Sequence, residues 1–306
     1  MQKQKRRSRM HRSGSGKRLE LTYRDLEIFK LLERYRYLRS TYIHAFVGGA
    51  SQTRFKERLG DLFHKGYLDR PARQWDFADA RHWPAIHEIG QGATRILRQA
   101  ALGSGDRRDF LSEIPHRQFL HAVMICEVLA SLDLGARSDP SLRFIAWPEI
   151  LARAPEASRG ARSPFRAPLP AGGYLVPDGL FGVEYSREET KAYRFFALEA
   201  DRGTMPVVRS DPKQSSYMGK LAAYRQIIAQ RVFKTHWGLP NLLVLTVTTS
   251  QSRMTDIVSK LDGEADTSAF LFRAVTEQEL SRPTAGLLSQ PWQRPGTVPL
   301  RIDQTA

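Results

Sequence analysis

The sequence predicts an α/β chain, α+β overall, in two parts: an N-terminal winged helix-turn-helix, then an α/β domain built on a mixed sheet. Three observations carry this. After Ser51, residues Phe55, Leu59, Leu62 and Phe63 recur at helical spacing, Gly66 stands where a helix stops, and two shorter helical patterns come before. From Tyr174 onward the pattern becomes strand, strand, strand, helix, strand, helix, strand. The 306 residues carry 47 Lys and Arg against 32 Asp and Glu, a formal net charge of +15. A balance of that sign favours a polyanionic partner, because neutralising phosphates releases counterions.

The elements follow in order. Residues 1–18 hold eight Lys and Arg, among them Arg6, Arg7, Arg9 and Arg12, and no acid. With no core-forming pattern they are expected to be a disordered basic arm that adds non-specific phosphate affinity. Residues 19–102 form the expected winged helix-turn-helix. Thr22 caps a first helix to about Arg36, with Leu26, Phe29, Leu32 and Tyr35 facing inward. Ser40 or Thr41 caps a short second helix through Ile43, Phe46 and Val47, and Gly48-Gly49 turns the chain. Ser51 caps the third helix. Tyr67–Arg70 and Ala85–Ile89 are the strands of the wing, and Pro71–Pro84 its loop, with Trp75 and Trp83 packing its base. Gln91–Ala101 is a further helix, and Gly103–Asp109 a polar boundary.

The third helix presents Gln52, Thr53, Arg54, Lys56 and Arg58 opposite its apolar face. Arg and Gln pair with base edges, and Arg and Lys with phosphates. These five are the expected DNA-reading residues, with Arg70, Arg73 and Arg81 of the wing beside them. The expected partner is double-stranded DNA.

Residues 110–280 form the expected α/β domain. A long helix runs from about His116 to Leu132, Leu142–Trp147 is a strand, and Pro155–Gly173 is a loop. Short strands flank Pro177-Asp178-Gly179. Lys191–Ala200 is a longer strand, Ser215 or Ser216 opens a helix to about His236, Asn241–Thr248 is a buried strand, Ser252–Leu261 a helix and Ala269–Val275 a strand. The Pro-, Gly- and Gln-rich tail, residues 281–306, is expected to be irregular.

Cys126, the one cysteine, lies in an apolar helical pattern and is expected in the core. No apolar run is expected to span a bilayer, and the basic N-terminus lacks the apolar segment of a secretory signal. A cytoplasmic protein without a membrane partner is the expectation. The scattered histidines His82, His87, His116, His121 and His236 show no zinc spacing and are expected to be surface or core residues.

One constellation points to chemistry. Asp178 follows Pro177 at a strand bend, and Glu199 and Asp201 end the next long strand. Alternate residues of a strand point the same way, so Glu199 and Asp201 share a face, and a hairpin pairing brings Asp178 to join them. Clustered carboxylates suit a hard cation such as Mg²⁺, which can activate water and stabilise a phosphoryl-transfer transition state. Asp178, Glu199 and Asp201 are therefore the expected metal ligands. As a solvated, salt-bridged strand end, Glu199, Asp201 and Arg202 have a plainer reading.

Pro177-Asp178 and Glu199 resemble two elements of the PD-(D/E)XK nuclease superfamily, and the order of elements from about His116 to Val275 resembles its restriction-endonuclease-like fold. The lysine position of that signature is filled here by Asp201. The resemblance implies catalytic roles for Asp178 and Glu199, with Lys220 or Arg202 supplying the missing cation; Asp201 joins the catalytic set through the shared strand face. Lys220-Leu221-Ala222-Ala223-Tyr224 also resembles the Gln-x-x-x-Tyr motif of some members.

The whole arrangement is similar to the replication-relaxation family of plasmids and mobile elements. That similarity rests on the winged helix, Pro177-Asp178-Gly179, Leu198–Thr204 and Lys220-Leu221-x-x-Tyr224. It implies DNA binding in plasmid or mobile-element replication or mobilisation, with plasmid replication or transfer proteins as further partners. Two alternatives fit the same residues: a Mg²⁺-dependent DNA endonuclease, and a transcriptional regulator, which would be compatible with a homodimer.

Overall fold

The structure is a computed structural model that describes residues 7–14, 18–49, 51–77, 79–100, 102, 118–188, 190–210, 216–284 and 286–304. Residues 1–6 and 15–17 of the basic arm, the boundary at Gly103–Asp109, the helix start at His116 and the cap at Ser215 lie outside them. The chain divides into two units, Met1–Arg107 with Ser281–Pro283, and Arg108–Leu280 with Thr284–Ala306.

In the first unit, helix α1 spans Tyr23–Tyr35 and opens on a capping box. The Thr22 N–H donates to Asp25 Oδ2 at 2.7 Å, and the Asp25 N–H donates to Thr22 Oγ1 at 3.4 Å. Its buried face is Ile28, Phe29, Leu31, Leu32 and Tyr35; Leu26, expected inside, is only half-buried. Strand β1 (Leu38–Arg39) leads directly into α2 (Ser40–Val47). Neither Ser40 nor Thr41 caps α2. Arg39 holds the cap position without a side-chain bond, and the Ser40 N–H donates to Ala85 O at 2.9 Å. Helix α3 (Gln52–His64) is capped by Ser51, as its sequence predicts, and the chain leaves it through Gly66 at φ +79°.

Strands β2 (Leu68–Asp69) and β3 (Ile86–Ile89) pair antiparallel, and β1 adds to the other side of β3, giving the order β1-β3-β2. The connection between β2 and β3 contains a 3₁₀ turn at Ala72–Trp75. Gln74 pins it: the Ile86 N–H donates to Gln74 Oε1 at 2.8 Å, and Gln74 Nε2 donates to Ile86 O at 3.0 Å. Helix α4 (Gln91–Gln99) follows Gly90. A Cβ at Gly90 would lie 2.5 Å from Gly66 O and 2.8 Å from Tyr67 O, both backbone atoms that cannot step aside. Gly90→Ala is therefore expected to destabilise this unit by about 1–3 kcal/mol, the usual cost of overpacking. Urea unfolding of the variant measures it, and an unchanged midpoint would rule out the close approach.

The second unit opens with α5 (Phe119–Arg137), five residues longer at its C-terminus than its sequence pattern suggests. By length and mean hydropathy it is able to cross a bilayer, contrary to the expectation that no segment reaches that threshold. It is a core helix here: 72% of its apolar window is buried inside the protein, and Cys126 lies buried within it.

After α5 come β4 (Leu142–Ala146), α6 (Trp147–Arg153), α7 (Glu156–Arg159), and the paired β5 (Ala167–Pro168) and β6 (Tyr174–Leu175). Then follow β7 (Gly179–Arg187), β8 (Thr190–Asp201), α8 (Tyr217–Ala229), α9 (Val232–Trp237), β9 (Leu243–Thr248), α10 (Gln251–Leu261) and β10 (Phe270–Ala274). The single helix expected from Ser216 to His236 is two, because Arg231 breaks it with φ +53°.

The segment expected to be an irregular tail contains regular elements among its described residues. After α11 (Glu277–Leu280) it forms α12 (Gly286–Ser289), β11 (Trp292–Arg294) and β12 (Thr297–Leu300). Its Pro and Gly residues punctuate short elements, and Trp292 and Ile302 are fully buried.

The result is a seven-stranded mixed sheet in the order β12-β11-β10-β9-β8-β7-β4. β8, β9 and β10 run parallel; the pairs β4–β7, β7–β8, β10–β11 and β11–β12 are antiparallel. Phe144, Phe181 and Phe196 stack across three adjacent strands at 5.3 and 5.0 Å. Phe195 and Ala197 of β8 share a core with Leu221, Tyr224 and Ile227 of α8 and Ile257 of α10. The alternation of β8 puts Glu199 and Asp201 on that same face, toward those helices.

Candidate functional site

The first unit displays the expected reading residues unevenly. Gln52, Thr53, Arg54 and Lys56 are exposed on α3, while Phe55, Leu59, Leu62 and Phe63 are buried behind them. Arg58 is different. Its Nε donates to Asp25 Oδ1 at 3.0 Å, and its Nη2 to Asp25 Oδ2 at 2.5 Å and to Glu20 O at 2.6 Å. Burial pushes the Asp25 carboxyl up, but Arg58 and the Thr22 bonds outweigh it and hold the group below its usual range. Arg58 thus locks α3 to the start of α1. In the ribbon, Arg73 and Arg81 are exposed. Arg70 is half-buried, stacked on Phe63 at 4.4 Å, and burial brings its guanidinium down to about 10. Trp75 and Trp83 lie under Arg9 and Arg39 at 5.4 and 4.9 Å.

The second unit brings the acids together through a lysine. Asp178 precedes β7, which pairs with β8 so that Gly179 lies opposite Leu198. That register sets Asp178 beside Glu199, and two backbone bonds hold it there. The Asp178 N–H donates to Leu198 O at 3.0 Å, and the Ala200 N–H donates to Asp178 Oδ2 at 2.9 Å. Lys220 of α8 reaches both carboxylates: its Nζ is ion-paired with Glu199 Oε2 and lies 3.6 Å from Asp178 Oδ1. One turn on, at i+4 and so on the same helix face, the Tyr224 hydroxyl donates to Glu199 Oε1. His121 of α5 completes the group, with Nε2 3.3 Å from Asp178 Oδ1. Glu199 is almost wholly buried, while Lys220 and His121 are each about a fifth exposed, so the cluster meets solvent on their side.

Asp201 is placed elsewhere. Arg253 of α10 grips both its oxygens, the Nη2 bond to Oδ1 measuring 3.1 Å, and the same Nη2 donates to Met205 O at 2.5 Å. The Gly203 N–H, at φ +74°, also donates to Asp201. Asp201 therefore holds the turn after β8. Among the described residues no three His, Cys, Asp or Glu side chains gather as a metal-ligand set. Of the three expected acids, Asp178 and Glu199 thus share Lys220, while Asp201 is paired separately with Arg253. Arg202, the other candidate cation, pairs with Glu277.

His121, expected to be a surface or core residue, and Arg253 carry no local sequence signal. One sits in an apolar helix and the other on an amphipathic helix far along the chain.

The electrostatics separate the two acids. Burial alone would raise Asp178, but Lys220, the His121 bond and the Ala200 N–H hold it well below the usual carboxylate range. Burial raises Glu199; Lys220 opposes this, the Asp178 charge adds to it, and the carboxyl ends at about 8. Burial would depress Lys220, yet Asp178 and Glu199 raise it.

Linkage fixes the sign of the consequences. A carboxyl raised from its ordinary 4.5 to about 8 contributes stability that is complete below about pH 4.5 and lost as pH rises to about 8. Asp178, held below its ordinary 3.8, contributes stability above that value and loses it as pH falls through its folded-state range. The urea midpoint of the wild type should thus decline from pH 5 to pH 8, and Glu199→Gln should flatten that decline. Equal slopes in both proteins would show that Glu199 is not the titrating group.

Comparison with known proteins adds one match. A sequence model of a family described as replication-relaxation matches residues 29–243. Neither the curated proteins nor the solved structures contain a match to the chain.

Proposed function

The chain belongs to the replication-relaxation family, and on that premise we propose that it binds duplex DNA during plasmid or mobile-element replication or mobilisation. Membership supports a role in replication; the DNA-reading role is carried by the first unit. The observation behind it is the exposed run Gln52, Thr53, Arg54 and Lys56 at the start of α3, on a helix whose other face is buried and whose flank is locked by Arg58 to Asp25. In this reading α1 to α3 and the β2–β3 ribbon are a winged helix-turn-helix. α3 enters the major groove, and Arg73 and Arg81 approach the backbone.

A second reading, a Mg²⁺-dependent endonuclease built on a nuclease-like fold, is favoured by one feature: Asp178 and Glu199 share the single ammonium of Lys220. Mg²⁺ is commonly held by one or two carboxylates with waters and substrate phosphates, so this donor pair fits it. Asp178 and Glu199 would hold the ion, which supplies charge neutralisation and a polarised phosphoryl oxygen. The chain's own groups do the rest. Tyr224 fixes the Glu199 rotamer, the Ala200 N–H fixes Asp178, and Lys220, released from the acids, presents a cation to a phosphate or an attacking water. Because Glu199 must ionise to bind metal, any metal-dependent activity should increase from pH 7 to pH 9.

One assay tests both readings: supercoiled plasmid, purified protein and Mg²⁺, scored for mobility shift, nicking and relaxation. A shift without breaks, unchanged in Asp178→Ala and Glu199→Ala, leaves a DNA-binding protein whose second unit is not a nuclease. Breaks that require the metal and both acids make it an enzyme. Absence of any shift with wild-type protein would overturn the DNA-binding reading.

A further inference from the structure

Three described arginines of the N-terminal segment, Arg7, Arg9 and Arg12, are already occupied. Within residues 7–14, Arg7 pairs with Asp61 of α3 at 2.5 Å. Arg9 Nη1 donates to Arg81 O at 2.8 Å, its guanidinium lies 5.4 Å from the centre of the Trp75 ring, and its own carbonyl accepts from Arg70 Nη1 at 3.0 Å. Arg12 does most. Its Nε donates to Phe63 O at 3.0 Å, at the end of α3, while its Nη2 donates to Leu68 O at 3.2 Å and pairs with Asp69, both in β2. The Ser13 N–H donates to His64 Nδ1 at 3.1 Å. Phe63 carries two guanidiniums on its ring, Arg12 at 5.5 Å and Arg70 at 4.4 Å.

These bonds have a common geometry. Every one ends on the C-terminal half of α3, on β2, or on the loop between β2 and β3. Several accept at backbone carbonyls, which satisfies the forked donors of arginine in a way that a lysine ammonium cannot reproduce. A free tail of the same composition would bind phosphates through charge alone, and would do so equally well with lysine.

We infer that residues 7–14 are a brace that positions the β2–β3 ribbon against α3, so that this segment contributes to sequence-selective DNA binding by pre-organising the reading face and not by neutralising phosphates. Arg9 and Arg12 are its positioning residues. The inference rests on the DNA-binding reading for its functional part; its structural part stands independently.

The test uses full-length protein, Arg9→Ala, Arg12→Ala and Arg12→Lys, with two probes: a 30-bp duplex selected by the wild type from a randomised pool, and an unselected duplex of the same length. Arg12→Ala is expected to weaken the selected duplex about tenfold through lost pre-organisation, with a smaller loss on the unselected one. The slope of log affinity against log salt should stay unchanged. Arg12→Lys should behave like Arg12→Ala. If the arm instead touches DNA phosphates, each alanine variant lowers the slope by about 0.9 and Arg12→Lys restores the affinity; either result overturns the brace.

Limited chymotrypsin digestion without DNA supplies the second measurement. Cleavage at Trp75 or Phe77 should be about tenfold faster in Arg9→Ala and Arg12→Ala, as local opening becomes easier. Unchanged protection also overturns the brace. If the wild type selects no duplex, the DNA-binding reading fails, and the digestion alone decides the structural claim.

Discussion

Lys220→Met should destabilise the second unit by about 3–5 kcal/mol, the range seen when one partner of a buried ion pair is removed. Lys220 Nζ is the shared counter-charge of Asp178 and Glu199, and both acids are largely withdrawn from solvent. Methionine keeps most of the packing stem and removes the charge. The two acids then face each other with His121 and the Ala200 N–H as the remaining support for Asp178. Glu199 would stay protonated to a higher pH still, so the repulsion appears only at alkaline pH, and there Glu199→Gln added to Lys220→Met should recover stability. Urea unfolding of the two single variants and the double variant forms a cycle that isolates the coupling. A loss below about 1 kcal/mol for Lys220→Met would mean an ordinary surface pair and would remove the ground for treating this cluster as a site.

Arg54→Ala should weaken a wild-type-selected duplex by about 1–3 kcal/mol, a factor of roughly five to 150, if Arg54 pairs with a base edge. The residue stands in the first turn of α3, exposed, with its own N–H donating to the Ser51 cap at 3.3 Å. That capped start makes the side chain's launch point rigid. Arg58→Ala should act by another route. It strands the buried Asp25 carboxylate, so it should lower the stability of the first unit and affect selected and unselected duplexes alike. Measuring both affinities and both unfolding midpoints separates the two roles. Equal losses on both duplexes for Arg54→Ala would sink its assignment as a reading residue.

Short-range features were readable in the sequence. The Thr22 and Ser51 caps, the apolar spacing of α3, the stop at Gly66 and the alternation that turns Glu199 inward each depend on residues within one or two turns of one another. Lys220 and Tyr224 were readable as a pair for the same reason, being one helical turn apart. Where the sequence pattern misled, longer-range forces had won. The apolar stretch of α5 has the length of a membrane span because its faces are covered by other parts of the second unit. Residues 281–306, polar and proline-bearing, still supply Trp292 and Ile302 to a core and two strands to the sheet edge. Residues 7–14 read as part of a free polycation because nothing local anchors Arg7, Arg9 or Arg12; their partners lie more than fifty positions away.

The candidate site divides along the same line. Local conformation singles out the acids that could matter, Asp178 at a strand bend and Glu199 on an alternating strand. Which of them share a cation depends on helices brought in from far along the chain. Asp201 points to the same side as Glu199, as the strand period requires, yet Arg253 arrives from α10 and claims it, while His121 arrives from α5 and joins Asp178. A side chain's direction is set by its own backbone, but its charge partner is set by whichever element packs within a few ångströms, and that depends on the assembly of the whole sheet and its helices.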